Sequence, residues 1–239
     1  MVLNFRYKSK NKWINKGETV PIYRSIIADA NSISTDIKDL EYRPANRVCT
    51  FGRVNRPCQA YFYACDGAPT CWAEQDKRIK SELEKKKEIA IITSQWELQR
   101  DLKLCVIPNW QNESMSQFNQ KIDLLDLPEE TKNFLININE LLLAEDDNSN
   151  IYKVTSAFFN AVLYDSIKQK KDFDGFLYTS VKDKVGYNLA LFPFVLDNKD
   201  IVLTDVCKTY ITKKDIEKNE YYCKPYEKAK QIKDGKILW

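Results

Sequence analysis

Phe51-Gly-Arg-Val-Asn-Arg-Pro-Cys-Gln-Ala-Tyr-Phe-Tyr-Ala-Cys65, followed by Trp72-Ala-Glu74, is the stretch on which the reading of this chain turns. Its counterpart a hundred residues on is Phe176-Leu-Tyr-Thr-Ser180, followed by Gly186-Tyr-Asn-Leu-Ala-Leu-Phe-Pro193. Both set polar side chains on or beside short apolar, aromatic runs of strand length. In such a run side chains alternate, so Tyr61 and Tyr63 share one face and Phe62 takes the other. Arginine, tyrosine, glutamate, serine and asparagine carried on a rigid sheet suit a phosphate-bearing, aromatic ligand.

Around these stretches the chain reads as strands, then helices, then strands. Pro21 to Ile27 is a β-branched run opened by proline, and 31–47 is polar loop with a short helix. The spacing predicts a strand at 60–64, then a helix capped at Thr70 and running through Glu74 towards Lys86. Further strands are expected at 89–93 and 102–107, with Trp96 between them. Phe134, Leu135, Ile138, Leu141 and Leu142 recur at helical spacing and read as core. Ile151, Val154, Phe158 and Val162 repeat the pattern after a cap at Ser149 or Asn150, with the acidic 145–149 segment as the loop between. Strands return at 176–181, 187–195 and about 200–211, with a turn through 183–186, and the charged tail is expected to be helical or irregular. This order predicts an α+β domain whose mixed sheet core is built from both ends of the chain around a helical insertion.

The composition narrows the chemistry. With 37 basic and 34 acidic residues the net charge is +3, without the basic stripe of a dedicated nucleic-acid binder. Lys85-Lys86-Lys87 and Lys168 to Lys171 are flanked by acids and read as solvated faces. No apolar run approaches a membrane span and the N-terminus lacks a signal-peptide core, so a cytoplasmic location with no membrane partner is the expectation. Seven cysteines with no CxxC spacing read as free thiols rather than a disulfide framework or a zinc site. There is no histidine. That removes Ser-His-Asp and Cys-His catalysis, His-ligated metal and imidazole base chemistry. Catalysis here must rest on carboxylates, tyrosine, lysine, arginine or oriented dipoles, with no metal expected.

Each candidate has two readings. Arg24, inside a strand, either faces solvent or grips a phosphate or carboxylate in a bidentate pair. Gly52 lets the backbone approach a ligand that Arg53 and Asn55 would bind, or the three are simply a loop. Tyr61 and Tyr63 are core aromatics or a platform for a flat ring. Glu74 is a surface carboxylate, or it faces a pocket and stabilises positive charge on a sugar. Ser180 and Asn188 are turn residues or hydrogen-bond donors to the site, and no base is present to make Ser180 a nucleophile.

Taken together, Tyr23-Arg24, Gly52-Arg53-Val-Asn55, Phe62-Tyr63-Ala, Glu74 and Tyr178-Thr-Ser180 with Gly186-Tyr-Asn188-Leu-Ala-Leu resemble the RES domain, named for its arginine, glutamate and serine. Order and spacing agree across about residues 20–195, including the eleven-residue step from Tyr63 to Glu74. Pro57-Cys58 stands where the family often has Pro-Gly, and Tyr178-Thr-Ser180 where it often has Tyr-Pro-Ser. The small residue expected before the glutamate corresponds to Cys71.

The resemblance implies one RES-like domain over 1–239, with its motif core at about 20–75 and 175–212 and a helical insertion at about 110–170. It implies an ADP-ribosyltransferase-like fold and cleavage of NAD+ at the nicotinamide–ribose bond, by hydrolysis or by phosphorolysis with inorganic phosphate as co-substrate. It also implies a toxin or defence effector, with an Xre-type antitoxin or a second copy of the chain as candidate partners. By that mapping Arg24 and Arg53 bind the pyrophosphate or an attacking phosphate, with Asn55 and Tyr61 beside them. Tyr63 packs on the nicotinamide or its ribose, and Glu74 holds ribose hydroxyls and the cationic transition state. Ser180 supports the ribose and Asn188 braces the site. The alternatives are an ADP-ribosyltransferase acting on a macromolecule and a catalytically inactive nucleotide- or partner-binding module.

Overall fold

Tyr23 and Cys65 are the only residues paired between β2 (Ile22–Asp29) and β3 (Phe62–Cys65), and the molecule is organised about that seam. The computed structural model describes residues 2–5, 21–31, 33, 35–109, 127–144, 149–170, 172–180, 182, 186–215 and 220–239. Within them the fold is α+β, as the alternation of apolar runs predicts. Ten strands form one mixed sheet in the order β1 (Val2–Phe5), β5 (Leu102–Val106), β6 (Gly175–Thr179), β7 (Tyr187–Leu191), β3, β2, β4 (Ile89–Leu98), β8 (Ile201–Asp215), β10 (Glu227–Lys228). The tenth, β9 (Glu220–Cys223), also pairs with β8. Only β5 and β6 run parallel among these pairs. A parallel pair needs a long crossover, and the chain between them carries α3 (Glu129–Leu143) and α4 (Ser149–Lys168). The helical insertion expected at about 110–170 therefore occupies the crossover, with 110–126 and 145–148 outside the described residues.

Alternation along the strands sorts the core into two faces. Phe62, Ala64, Leu104, Leu177, Leu189 and Leu191 join one apolar cluster, to which α5 (Phe194–Asp197) adds Val195 and Leu196. Tyr61, Cys105, Phe176, Tyr178 and Ala190 join the opposite one, closed by Ile138 and Leu142 of α3 and Phe159 of α4. A third cluster places Ile79 of α2 (Asp76–Lys85) against Ile89, Ile91 and Ile211. Fully burying side chains of this size contributes about 1.5–3 kcal/mol each. The helical stripe is core only in part, because Phe134 remains 51% exposed while Ile138 and Leu142 are buried.

Several sequence expectations shift. Trp96 lies inside β4, where its indole N–H donates to Ser94 Oγ at 2.9 Å, so the small polar residues at 93–95 do not end the strand. The strand expected at 187–195 stops at Leu191, and Phe194 and Val195 belong to α5. Thr70 is not a cap, since α1 (Ala68–Glu74) begins one turn earlier with Pro69 in its first turn, where the missing N–H has no helical partner to lose. The helix does not run on to Lys86 unbroken, because Gln75 interrupts it before α2. The tail forms strands, including the pair β11 (Gln231–Lys233) and β12 (Lys236–Leu238). Its charges are paired across the sheet, Lys208 with Glu227 at 3.0 Å and Lys228 with Asp205 at 2.6 Å. The turn at 183–185 and the acidic loop at 145–148 lie outside the described residues. No helix among those residues is long and apolar enough to cross a membrane.

Candidate active site

Beyond Tyr23 and Cys65 the β2–β3 ladder stops, although β2 remains paired with β4 along its whole length. A backbone carbonyl left by such a gap needs another donor, and Arg24 Nη1 supplies one to Tyr63 O at 2.8 Å. The gap opens into a cleft of about 1130 Å³. That exceeds the roughly 300–1,000 Å³ usual for small-molecule pockets, so a ligand of dinucleotide size has room. Six cationic side chains line it (Arg24, Lys38, Arg43, Arg47, Arg53 and Arg78) against four acidic ones (Asp36, Asp39, Glu41 and Glu74). The excess favours an anionic ligand.

Helix α1 is fastened over the seam by two unlike contacts. Cys71 Sγ donates to Tyr23 O at 3.1 Å, and the Trp72 indole N–H donates to Thr93 Oγ1 at 3.1 Å. At the break that follows, the Gln75 amide donates to Ser25 O. These contacts fix the last residue of α1, Glu74, in the cleft wall. Its Oε1 accepts from Ser180 Oγ at 2.6 Å and from Asn188 Nδ2 at 2.9 Å. Asn188 is itself oriented by the Cys65 thiol, which donates to Asn188 Oδ1 at 3.2 Å. A hydrogen bond with the neighbouring Cys71, and then burial, raise the Cys65 pKa well above its usual value, so the thiol keeps the proton it donates. The fold thus brings Arg24, Tyr63, Glu74, Ser180 and Asn188 together, from segments up to 164 positions apart (Arg24 to Asn188). Ser180 is fully buried and lies behind Glu74 rather than in the cleft lining.

Of the other three candidates, Arg53 and Asn55 line the cleft while also bonding within the protein, and Tyr61 lies outside the lining. Tyr61 is 4% exposed and outside the lining, packed against Phe176 and Phe192 with ring centroids at 6.3 and 5.5 Å. It shares the face of Tyr63, but neighbouring aromatics cover that face at its level. Arg53 turns to the end of α3, donating to Ala144 O at 2.8 Å and Leu141 O at 3.4 Å, with its guanidinium 5.3 Å from the Tyr152 ring centroid. The final carbonyls of a helix lack intrahelical partners and carry partial negative charge, so an arginine is well suited to them. Asn55 is committed to its own loop. Its amide donates to Thr50 O and Arg56 O, each at 3.2 Å, and its Oδ1 accepts from Tyr63 Oη at 2.8 Å. A Cβ on Gly52 would collide with that Oδ1, so glycine is needed there for close approach to Asn55.

Tyr178 and Arg43 are among the lining residues that sequence reasoning did not single out. Tyr178 was quoted only within its motif, yet it lines the cleft, and burial holds its phenol pKa well above the usual value. Arg43 was passed over as one charge in a polar loop, and its own position gives no signal of a site. Burial lowers the Arg24 guanidinium to about 10 despite the raising influence of the Cys71 and Cys65 sulfurs, and the nearby charge of Arg43 lowers it further. Among the described residues no group of three or more acidic or cysteine side chains is placed to hold a metal ion. No protein-family model matches the chain, and a search of curated proteins finds no match.

Proposed function

We propose that the protein cleaves the bond between nicotinamide and ribose in NAD+, acting as a glycohydrolase or phosphorylase of RES type. The observation that carries this reading is the Glu74 carboxylate, held by Ser180 and Asn188 in the wall of an arginine-lined cleft. Nicotinamide leaves as a neutral ring, taking the electron pair of the broken C–N bond, so the reaction needs no general acid. The ribose left behind gains oxocarbenium character, and an oriented carboxylate stabilises it where it develops. Water or a phosphate oxygen then forms the new bond to the ribose carbon, and water loses its proton to Glu74 or to solvent. A site without histidine can perform each of these steps.

The arginines of the cleft suit the diphosphate of the nucleotide, and Tyr63 and Tyr178 supply aromatic surface for its rings. A toxin or defence role follows from NAD+ depletion, and the cognate inhibitor would be an Xre-type antitoxin. Incubation of the purified protein with NAD+, in phosphate and in phosphate-free buffer, followed by mass identification of the products, tests the reading. Free ADP-ribose marks hydrolysis and ADP-ribose 1″-phosphate marks phosphorolysis. ADP-ribose on a macromolecule favours transfer, and intact NAD+ in both buffers overturns the enzymatic reading.

A further inference from the structure

Two thiols meet at the seam between β2 and β3. Cys65 ends β3 and is paired across the ladder with Tyr23, and Cys71 Sγ donates to Tyr23 O at 3.1 Å. Paired residues of an antiparallel ladder have Cα atoms only about 4.5–5.5 Å apart. The chain reverses between the two cysteines, with α1 starting at Ala68 and the Cys71 N–H donating to Gly67 O at 3.1 Å. A hydrogen bond joins the Cys65 and Cys71 side chains. They are 6% and 4% exposed, and both line the cleft, so a small molecule that enters the cleft reaches them.

Both thiols hold parts of the site in place. Cys65 donates to Asn188 Oδ1 at 3.2 Å, and Asn188 Nδ2 donates to Glu74 Oε1 at 2.9 Å. Cys71 fastens α1, whose last residue is Glu74. Each contact needs the S–H proton. A bond between the sulfurs removes both protons at once. Asn188 then loses the donor that orients its amide, and α1 loses its tie to Tyr23.

We infer that Cys65 and Cys71 are a site of reversible oxidation, closing to a disulfide when a peroxide enters the cleft and loosening the Glu74 carboxylate as they do so. Cys65 holds its proton, so Cys71 is the sulfur that meets the oxidant. Arg24 brings a cation to the same seam, its Nη1 2.8 Å from Tyr63 O, and a nearby cation favours the attacking thiolate. That thiolate attacks one peroxide oxygen and the O–O bond breaks. The hydroxide released takes up the proton Cys71 gave, leaving a sulfenic acid and one water. The Cys65 sulfur then attacks the sulfenic sulfur, and its proton leaves with the displaced hydroxide as a second water. Each thiol gives up one electron and the peroxide accepts both. A dithiol reductant reverses the change. The oxidation stands on the thiol pair alone, and only its effect on turnover rests on the function proposed above.

The test treats the full chain with hydrogen peroxide, alkylates the remaining thiols and locates disulfides by peptide mass spectrometry. A Cys65–Cys71 bond is expected, and dithiothreitol should remove it. Nicotinamide release measured on the same samples should fall about tenfold or more on oxidation, as for loss of one hydrogen bond to a charged acceptor, and return on reduction. Cys71→Ser keeps a donor for Tyr23 O but cannot form the bond, so peroxide should leave its rate, whatever that rate is, unchanged. Cys49→Ser, Cys58→Ser and Cys223→Ser combined remove the exposed thiols and should keep the wild-type response. Peroxide-treated wild type in which Cys65 and Cys71 are still alkylated, or are paired elsewhere, overturns the site. A mapped Cys65–Cys71 bond in a protein that leaves NAD+ intact before and after treatment keeps the redox site and removes the enzymatic reading. Turnover unchanged by a mapped bond keeps the enzymatic reading and overturns the loosening of Glu74.

Discussion

Ser180 donates its hydroxyl to Glu74 Oε1 across 2.6 Å, joining the residue that follows β6 to the last residue of α1 over 106 positions of chain. Neither residue is informative alone, because a surface glutamate and a turn serine are commonplace. Joined, with Asn188 at 2.9 Å on the same oxygen, they form a carboxylate whose direction is fixed before any ligand arrives. Fixed direction is what electrostatic catalysis requires, because nothing then has to reorganise as charge develops.

If that orientation serves the reaction, Ser180→Ala and Asn188→Ala should each lower kcat with little change in KM. Each removes one hydrogen bond to a charged acceptor, of order 1.5–3 kcal/mol, which corresponds to about ten- to a hundredfold in rate. Steady-state nicotinamide release checks this. A rise in KM at unchanged kcat would instead assign the pair to ground-state substrate binding.

The buried phenol of Tyr178 gives a pH dependence of known sign. Its folded pKa is raised above the ordinary 10.0, mainly by burial, with Tyr63 and Glu74 adding to the effect. The proton is therefore favoured in the folded state. This contribution is fully present below pH 10 and is lost as pH rises from there towards the folded pKa, where the unfolded chain ionises first. Urea denaturation between about pH 8 and 11 should show stability falling at the alkaline end, and Tyr178→Phe should fall less steeply. Parallel curves for the two proteins would contradict the burial argument.

Cys58 adopts φ 61°, the left-handed region that disfavours side chains, and its N–H donates to Val48 O at 2.7 Å. Cys58→Gly should therefore stabilise the protein by about 0.5–1 kcal/mol, the strain relieved being partly offset by greater freedom of the unfolded chain. Cys58→Ala keeps the Cβ and should give no such gain. Thermal or urea melts of the three proteins decide it.

The sheet was legible where short β-branched or apolar-aromatic runs stand out, expected at 21–27, 60–64 and 176–181 and found at 22–29, 62–65 and 175–179, and the helices where the apolar spacing repeats. The extension of β4 past Thr93 was not legible, because polar residues in a central strand are tolerated only when paired, and the pairs are distant. Ser25 Oγ meets Thr93 Oγ1 at 3.0 Å, and Ser94 Oγ donates to Arg24 O at 3.0 Å. The strands of the tail were hidden because their exposed, charged residues carry little apolar period. Among site residues, Arg24, Tyr63, Glu74, Ser180 and Asn188 converge as their joint spacing suggested. Arg53 lines the cleft, and its second tie was not legible because the helix end it meets lies 91 positions away at Ala144. The burial of Tyr61 outside the lining was not legible because alternation reports a face, not what covers that face. The expected Pro-Gly at 57–58 had a physical basis that only the backbone dihedral reveals.

In the reaction proposed above, Glu74 stabilises the ribose cation. Gln replaces it with nearly the same volume and can still accept from Ser180, so Glu74→Gln removes the charge with little change of shape. The direct measurement is nicotinamide release from NAD+ by wild type and by Glu74→Gln, with matched thermal melts to establish equal folding. Wild type should release nicotinamide steadily and the variant should lose at least about a hundredfold, as for removal of one strong transition-state contact. Release by Glu74→Gln at the wild-type rate, or none from wild type under any buffer condition, would contradict it.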